Sequence, residues 1–299
     1  MTDRMSITSD EQPPEINTNL PQTARIWNYW LGGKDNFPVD RQVGDQVLEA
    51  FPAIVENARA SRAFLVRAVQ YLAGEAGIRQ FLDIGTGLVT ANNTHQVAQA
   101  VAPECRIVYV DNDPIVLTHA RALLTSTPEG ATDYLDADLR DPDSLLPQAA
   151  RTLDFTQPIA IMLMGILGHI AEDEQAQSIV KRLVGGVPAG SYLTMNDGTD
   201  TSEEVVEAAR IWNQSANPTY HLRSPDRIAR FFDGLALVEP GVVSPHDGVP
   251  SPAHPASPPR STRLVASRAS RSAYQGIDHQ SVQRPGAVHA ARTYSGLNP

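Results

Sequence analysis

A short apolar run that ends in an acidic residue and a glycine turn constrains this chain more than any other feature. The run is Phe81-Leu82-Asp83-Ile84-Gly85-Thr86-Gly87-Leu88, and its pattern predicts a buried strand followed by a tight turn. Without side chains at Gly85 and Gly87 the backbone can approach a ligand closely, and Asp83 can accept hydrogen bonds from it. The turn therefore predicts a nucleotide-like ligand, unless the glycines serve only the geometry of a strand-to-helix connection.

A second apolar run narrows the kind of ligand. Residues 106–111 read Arg-Ile-Val-Tyr-Val-Asp, which predicts another buried strand with an acidic end. Asp111 follows Gly87 by 24 residues, close to the offset of about 20 at which an acidic residue meets a ribose diol in nucleotide-binding α/β folds. Both a dinucleotide and S-adenosylmethionine fit this pairing. The dinucleotide is the weaker candidate, because the third glycine of its fingerprint would fall at Thr90.

The remaining pattern alternates strands with helices and short connections. We expect further strands at 134–139, 159–167, 191–195 and 235–238, helices at 39–51, 52–72, 93–102, 114–124, 174–184, 202–212 and 225–232, and another helix that starts at Asp141-Pro142. Acidic strand ends would then meet at one edge, where such sheets bind ligands. The expected fold class is α/β, a doubly wound, mostly parallel Rossmann-like sheet with an N-terminal helical extension.

Composition divides the chain into four parts. Residues 1–22 are polar and are expected to be a disordered arm, 23–77 an N-terminal helical cap, and 78–246 the Rossmann-like domain. Residues 247–299 are rich in Pro, Arg and Ser and are expected to be a disordered tail. Within the cap, Trp27, Tyr29 and Trp30 precede a Gly-Gly turn and Lys34-Asp35-Asn36. This segment is expected either to fold over a ligand or to dock as a short helix with a glycine cap.

Charge and cysteine content exclude several classes of function. The formal net charge of −10 disfavours nucleic acid as a partner, because a phosphate backbone requires clustered Lys and Arg. A single cysteine, Cys105, excludes an intrachain disulfide and a cysteine-based zinc site. The longest apolar run, 159–167, is too short to span a bilayer. We expect a cytoplasmic protein that acts on a small molecule, without a membrane partner; the oligomeric state stays open.

Residues 23–246 resemble a family of S-adenosylmethionine-dependent methyltransferases that was first catalogued as a domain of unknown function. The matching stretches are 30–37, 79–87, 108–114, 136–142 and 228–235. The resemblance implies a class I, seven-stranded methyltransferase sheet with S-adenosylmethionine as its cofactor. It puts residues 83–87 at the methionine end, Asp111 on the ribose, Asp138-Leu139 beside the adenine and residues 34–36 over the cofactor. The candidate cofactor-binding residues are Lys34, Asp35, Asn36, Asp83, Gly85, Thr86, Gly87, Asp111, Asn112, Asp138 and Leu139.

Two departures from the family pattern stand out. Val89 occupies a position where the family usually has proline, and the Pro/Arg/Ser tail begins where the family continues into a last antiparallel strand. Whether the chain forms the seventh strand therefore stays open.

Methyl transfer from a sulfonium does not strictly require a dedicated catalytic residue. A sulfonium is already a good electrophile, so alignment and exclusion of water matter most. For a hydroxyl acceptor, His169 at the end of the fourth strand is the candidate base, or else it only lines the pocket. Weaker candidates are Asn196, Asp197 and His221, and no metal spacing is present. Three functions compete: a methyltransferase for a small acceptor, a catalytically silent binder of the cofactor, and a nicotinamide-dependent oxidoreductase.

Overall fold

A computed structural model describes residues 17–88, 91–123, 125–243 and, for the backbone, 262–268. Its strands are β1 Gln80–Ile84, β2 Arg106–Asp111, β3 Ala131–Asp136, β4 Ala160–Met164, β5 Tyr192–Gly198, β6 Ala236–Leu237 and β7 Thr262–Arg268. Its helices are α1 Thr23–Trp30, α2 Pro38–Ala50, α3 Ile54–Gly74, α4 Thr94–Val101, α5 Pro114–Leu123, α6 Pro142–Ala149, α7 Asp173–Gly185, α8 Glu203–Ser215 and α9 Pro225–Ala229.

The strands form one sheet in the order β3-β2-β1-β4-β5-β7-β6. Strands β1 to β5 pair in parallel, and β7 lies antiparallel between β5 and β6. The register sets Ile84 beside Val110 on one side and Leu163 on the other. The carboxyl ends of the three central strands therefore meet at one edge. The Rossmann-like methyltransferase class predicted from the sequence is confirmed.

Apolar side chains cover both faces of the sheet. On one face α3 and α4 pack against β1, β2 and β4, with Phe81 and Ile107 fully buried. On the other face α6 and α7 do the same, with Leu82 and Ile161 fully buried. This explains the continuous apolar runs of the central strands, because alternate residues enter two different cores.

Several predicted strand boundaries were wrong; strand β5, for example, runs to Gly198 rather than ending at residue 195, because β7 pairs with its whole length. Strand β3 covers 131–136 rather than 134–139, because it pairs along β2 from Arg106 to Asp111. Asp138 then lies beyond the strand, where its side chain accepts a hydrogen bond of 2.8 Å from the amide of Arg140. Strand β4 ends at Met164 because Gly165 adopts a φ of 75°, which ends extended structure.

The tail contains the seventh strand. Composition predicted disorder over 247–299, whereas residues 262–268 pair with the whole of β5 and with β6. The strand sequence Thr-Arg-Leu-Val-Ala-Ser-Arg holds only three consecutive apolar residues, too weak a signal beside the surrounding proline and arginine. Residues 247–261 and 269–299 lie outside the described part of the chain.

A buried ion pair fixes the N-terminal helices over the edge of the sheet. Arg25 in α1 and Asp40 in α2 lie 2.9 Å apart with side chains 1% and 0% exposed. Asp40 also accepts hydrogen bonds from the amides of Gln22 and Phe37, so its carboxylate is well paired. Trp30 and Trp212 of α8 add an aromatic contact at 5.9 Å. No helix within the described ranges is both long and apolar enough to cross a membrane.

Candidate functional site

A cavity of about 190 Å³ opens at the carboxyl ends of β1, β2 and β4; we call it the edge cavity. One face of α1 roofs it, and the backbone of Gln22 pairs with that of Asn217 to join α1 to the segment 217–223. The residues that line it include Ala24, Trp27, Asn28, Leu31, Ser61, Arg62, Asp83, Gly85, Thr86, Gly87, Thr94, Asp111, Asn112, Asp113, Tyr134, Gly165, Ile166, His169 and Pro218.

Asp83 forms the acidic floor of the edge cavity. It is 4% exposed, and Thr94 donates a hydrogen bond of 2.5 Å to its Oδ2. Burial raises the pKa of Asp83 to about 6, although the Thr94 hydrogen bond and the positive charge of Arg62 oppose that rise. The Arg62 guanidinium, held by the carbonyls of Ala91 and Asn92 at 3.1 Å each, supplies the charge facing Asp83. Asp83 therefore loses its proton closer to neutral pH than an exposed aspartate does.

Asp111 ties the glycine turn to the next strand. Its Oδ2 accepts from the amide of Gly87 at 2.9 Å, and its Oδ1 accepts from the amide of Asp113 at 3.0 Å. Burial raises the pKa of Asp111 to about 6, against the lowering effect of these amides. A carboxylate has about four lone-pair sites, so each oxygen retains capacity for a ligand hydroxyl.

Gly85 is required by packing as well as by backbone conformation. Its φ is 76°, and a Cβ built there would lie 2.6 Å from the side chain of Ile166. Any side chain at this position would push Ile166 toward the space that the cavity occupies. Gly87, with a φ of 62°, has open surroundings, the nearest atom being Ala24 Cβ at 3.8 Å. Thr86 meets Tyr134 through a hydroxyl contact of 3.2 Å.

A smaller extension of about 60 Å³ continues from the edge cavity beyond Asp111. Asn112, Asp138 and Leu139 line it, together with His169 and Pro218. Leu139 is buried, whereas Asp138 is half-buried and forms an ion pair of 3.2 Å with Arg140. A flat ring could lie against Leu139 here while Asp138 reaches its polar edge.

The segment that carries Lys34, Asp35 and Asn36 is not brought into the edge cavity. Lys34 and Asp35 are exposed, and Asn36 donates its side-chain amide to Asn28 at 3.0 Å and to the carbonyl of Gly33 at 2.9 Å. Asn28 Oδ1 also accepts from the amide of Asp35 at 3.0 Å. A contact between these three residues and the cofactor stays a prediction.

His169 lines both the edge cavity and its extension. Its Nδ1 lies 2.8 Å from the carbonyl of Thr219. Since a carbonyl only accepts, Nδ1 carries the proton and Nε2 holds a free electron pair. Burial lowers the pKa of His169, and the nearby charge of Arg140 lowers it further. The imidazole is therefore neutral at pH 7, as a base requires.

Several lining residues were missed from the sequence. Arg62 and Ser61 come from the middle of α3, Thr94 from the start of α4 and Tyr134 from β3. Only Thr94 carried a local signal, because it follows the helix-capping Asn93 directly after the glycine loop. Within the described ranges, no group of three His, Cys, Asp or Glu side chains is arranged to hold a metal ion.

The lining suits a cationic nucleotide-like ligand. The described lining contains three carboxyl groups, those of Asp83, Asp111 and Asp113, and one guanidinium, that of Arg62. A carboxylate excess favours a ligand that carries ammonium and sulfonium charges. The glycine turn leaves room for a close backbone approach, and the extension beside Leu139 fits a base. These features accommodate S-adenosylmethionine.

Comparisons with known proteins agree with this geometry. The family described as S-adenosyl methyltransferase matches residues 9–273. A crystal structure of a DUF574 family protein from Streptomyces avermitilis is 44% identical, with a TM-score of 0.81 over 85% of this chain and 99% of that one. A candidate methyltransferase from Thermobifida fusca is 40% identical, with a TM-score of 0.77 over 84% of this chain and 95% of that one. Among curated protein sequences none matches. The chain therefore belongs to the S-adenosyl methyltransferase family and is an enzyme with S-adenosyl-L-methionine as its cofactor.

Proposed function

We propose that this enzyme transfers the methyl group of S-adenosylmethionine to a small-molecule acceptor. The roof over the edge cavity carries this proposal. Helix α1 and the segment 217–223 cover the sheet edge and are joined through Gln22 and Asn217, which favours a small ligand over the side chain of a folded protein. When bound, the cofactor supplies an electrophilic methyl group on a positively charged sulfur.

The acidic strand ends would hold the cofactor in one orientation. Asp83 and the turn of Gly85, Thr86 and Gly87 would lie at the methionine end, where the carboxylate balances a positive charge. Asp111 would accept from the ribose hydroxyls, with Asn112 beside it, and Asp138-Leu139 would border the adenine. The backbone amides that already bind Asp111 support this role, because they fix its carboxylate before any ligand arrives.

His169 would act on the acceptor as a base. The Thr219 carbonyl fixes the ring so that Nε2 can receive a proton, and burial keeps the ring neutral. If instead His169 only lines the cavity, His169→Gln should change acceptor binding without changing the pH profile of kcat. If it is a base, the variant should lower kcat by about a hundredfold or more and remove an acidic limb from the profile.

Titration and turnover together test the proposal. Calorimetric titration with S-adenosylmethionine, S-adenosylhomocysteine and NAD should show binding of the first two and not of NAD. Formation of S-adenosylhomocysteine, followed over a panel of small hydroxyl, amine and thiol acceptors, should then identify turnover. Binding of NAD alone would contradict the cofactor site, and cofactor binding without turnover on any acceptor would favour a catalytically silent protein.

A further inference from the structure

A second cavity of about 100 Å³ lies beside the edge cavity; we call it the side chamber. Trp27, Ser61 and Gly165 line both cavities, so the two spaces adjoin at these residues. The other residues that line the side chamber include Trp30, Val47, Phe51, Ile54, Asn57, Asn196, Asp197, Val205, Ala208, Ala209, Trp212, Tyr220 and Leu222.

The walls of the side chamber are aromatic, and the polar atoms of two wall residues are already used. Trp30 donates its indole N–H to the carbonyl of Gly44 at 3.2 Å, and Trp212 donates its own to the carbonyl of Pro218 at 3.1 Å. Trp27 and Trp30 meet edge to face at 5.6 Å. The walls therefore offer ring surface, and ring surface favours a flat apolar molecule.

The polar groups of the side chamber lie at its boundary with the edge cavity and at one wall. At the boundary Asn196 donates its side-chain amide to Ser61 Oγ at 2.6 Å. With one of its two lone pairs occupied in this way, the Ser61 hydroxyl keeps one lone pair and its proton for a ligand at the place where the two cavities meet. A single polar group on a ligand would be received there, beside the space assigned to the cofactor.

The carboxylate at the wall is paired with a buried guanidinium outside the lining, although its Oδ2 accepts no hydrogen bond among the described residues. Asp197 is 1% exposed, and Tyr220 donates its hydroxyl to Asp197 Oδ1. Arg223 NH1 lies 3.8 Å from Asp197 Oδ2, and this side chain is also buried. The Tyr220 oxygen accepts in turn from the amide of Gly198 at 3.0 Å. The described lining holds no cation, so a carboxylate or phosphate ligand would be desolvated without a partner.

We propose that the side chamber is the acceptor site and selects an uncharged, single-ring aromatic compound with one hydroxyl group, which points to the Ser61–Asn196 pair. This inference rests on the proposed methyl transfer. The volume allows at most one ring, because a cavity of about 150 Å³ holds benzene in another protein and the side chamber of about 100 Å³ gains room only where it adjoins the edge cavity. In the reaction the acceptor oxygen bonds to the methyl carbon, the carbon–sulfur bond breaks with its electron pair on sulfur, and the hydroxyl proton passes, directly or through water, to Nε2 of His169, the proposed base.

A series of matched rings tests the selectivity on the unaltered protein. Calorimetric titration with 4-methylphenol, 4-methylbenzoate and 4-methylbenzylamine compares a neutral, an anionic and a cationic ring, and 4-methylbenzamide and 4-methylbenzyl alcohol are the neutral controls for the larger size of the two charged compounds. We expect 4-methylphenol to bind at least tenfold more tightly than either charged ring. Equal affinity for the three, or no binding of 4-methylphenol, would overturn the proposal.

Filling the side chamber tests its location. Ala209→Leu or Val205→Phe adds atoms to the lining of the chamber from α8, and Val206→Leu is the control because Val206 lies on the same helix and is 47% exposed. The first two should weaken 4-methylphenol binding at least tenfold and the third should not, while S-adenosylmethionine affinity stays the same in all three. Unchanged 4-methylphenol binding in both filled variants overturns the inference. Failure of the proposed function differs, because the unaltered enzyme would then form no S-adenosylhomocysteine with any acceptor, whether or not 4-methylphenol binds in the side chamber.

Discussion

Replacing Asp111 with alanine removes the carboxylate that links the glycine turn to the predicted ribose position. Two backbone amides, those of Gly87 and Asp113, would lose an acceptor at 2.9 and 3.0 Å, and a bound ribose would lose one as well. A hydrogen bond to a charged group contributes about 1.5–3 kcal/mol, and each 1.4 kcal/mol corresponds to about tenfold in affinity. Asp111→Ala should therefore raise the dissociation constant for S-adenosylmethionine at least tenfold, and about a hundredfold if two such bonds are lost.

A neighbouring carboxylate gives the matched control. Asp136 stands beside Asp111 in the register of β2 and β3 but is exposed and lies outside the lining of the edge cavity. Asp136→Ala removes the same group from the end of the adjacent strand. Calorimetric titration should show unchanged affinity for Asp136→Ala and weakened affinity for Asp111→Ala, at a temperature where both remain folded. Equal affinities for Asp111→Ala and the unaltered enzyme would refute the ribose assignment.

Two further predictions concern the floor and the turn of the edge cavity. Burial raises the pKa of Asp83 and of Asp111 from 3.8 to about 6, so both carboxyls gain protons as the pH falls through 6. Titrations at pH 5, 6 and 7 should therefore show that the affinity for S-adenosylmethionine decreases toward pH 5. A constant affinity would contradict this reasoning. The stability of the fold should change in the opposite direction. A carboxyl whose pKa is raised on folding stabilises the fold in its protonated form, so the contribution of these two groups to the free energy of unfolding should be lost as the pH rises from about 4 through 6. Gly85→Ala should weaken cofactor binding and lower the melting temperature more than Gly77→Ala. Both glycines have a positive φ, but only a Cβ at position 85 would meet Ile166, at 2.6 Å. Equal effects of the two substitutions would show that the contact with Ile166 is not the cause.

The sheet could be predicted from the sequence because its central strands are buried on both faces. Such strands give continuous apolar runs, and helix-capping pairs such as Asp113-Pro114 and Asp141-Pro142 mark the elements between them. The edges were less predictable. Strand β3 begins with Ala-Thr-Asp, which is only half-buried, and β7 is short in apolar residues, so pairing with a neighbour rather than local pattern decides where each one lies.

The floor of the site could be predicted, but the contribution of α3 could not. Asp83, Gly85, Gly87 and Asp111 end strands or follow them directly, so the parallel order of the sheet brings them to one edge. Arg62 and Ser61 reach the same space from the middle of α3, and no sequence spacing relates a helix residue to a strand end 20 or more positions later. Their contribution depends on how the helix packs.

The segment around the Gly32-Gly33 turn was expected either to fold over a ligand or to dock as a short helix with a glycine cap. Helix α1 lines the edge cavity with Ala24, Trp27, Asn28 and Leu31, spaced three and four residues apart on one helical face. The residues that face the cavity therefore come from the helix and not from the turn, and a contact with a ligand stays a prediction. Gly33 serves a different need, since a Cβ there would lie 2.3 Å from the side chain of Asn28.

The same helix couples the two cavities. Asn28 holds the turn that carries residues 34–36, and Trp27, one residue earlier, lines both the edge cavity and the side chamber. A cofactor that orders Trp27 would therefore also set one wall of the side chamber. Binding of S-adenosylmethionine should then tighten binding of 4-methylphenol, and by linkage each ligand should change the affinity of the other by the same factor.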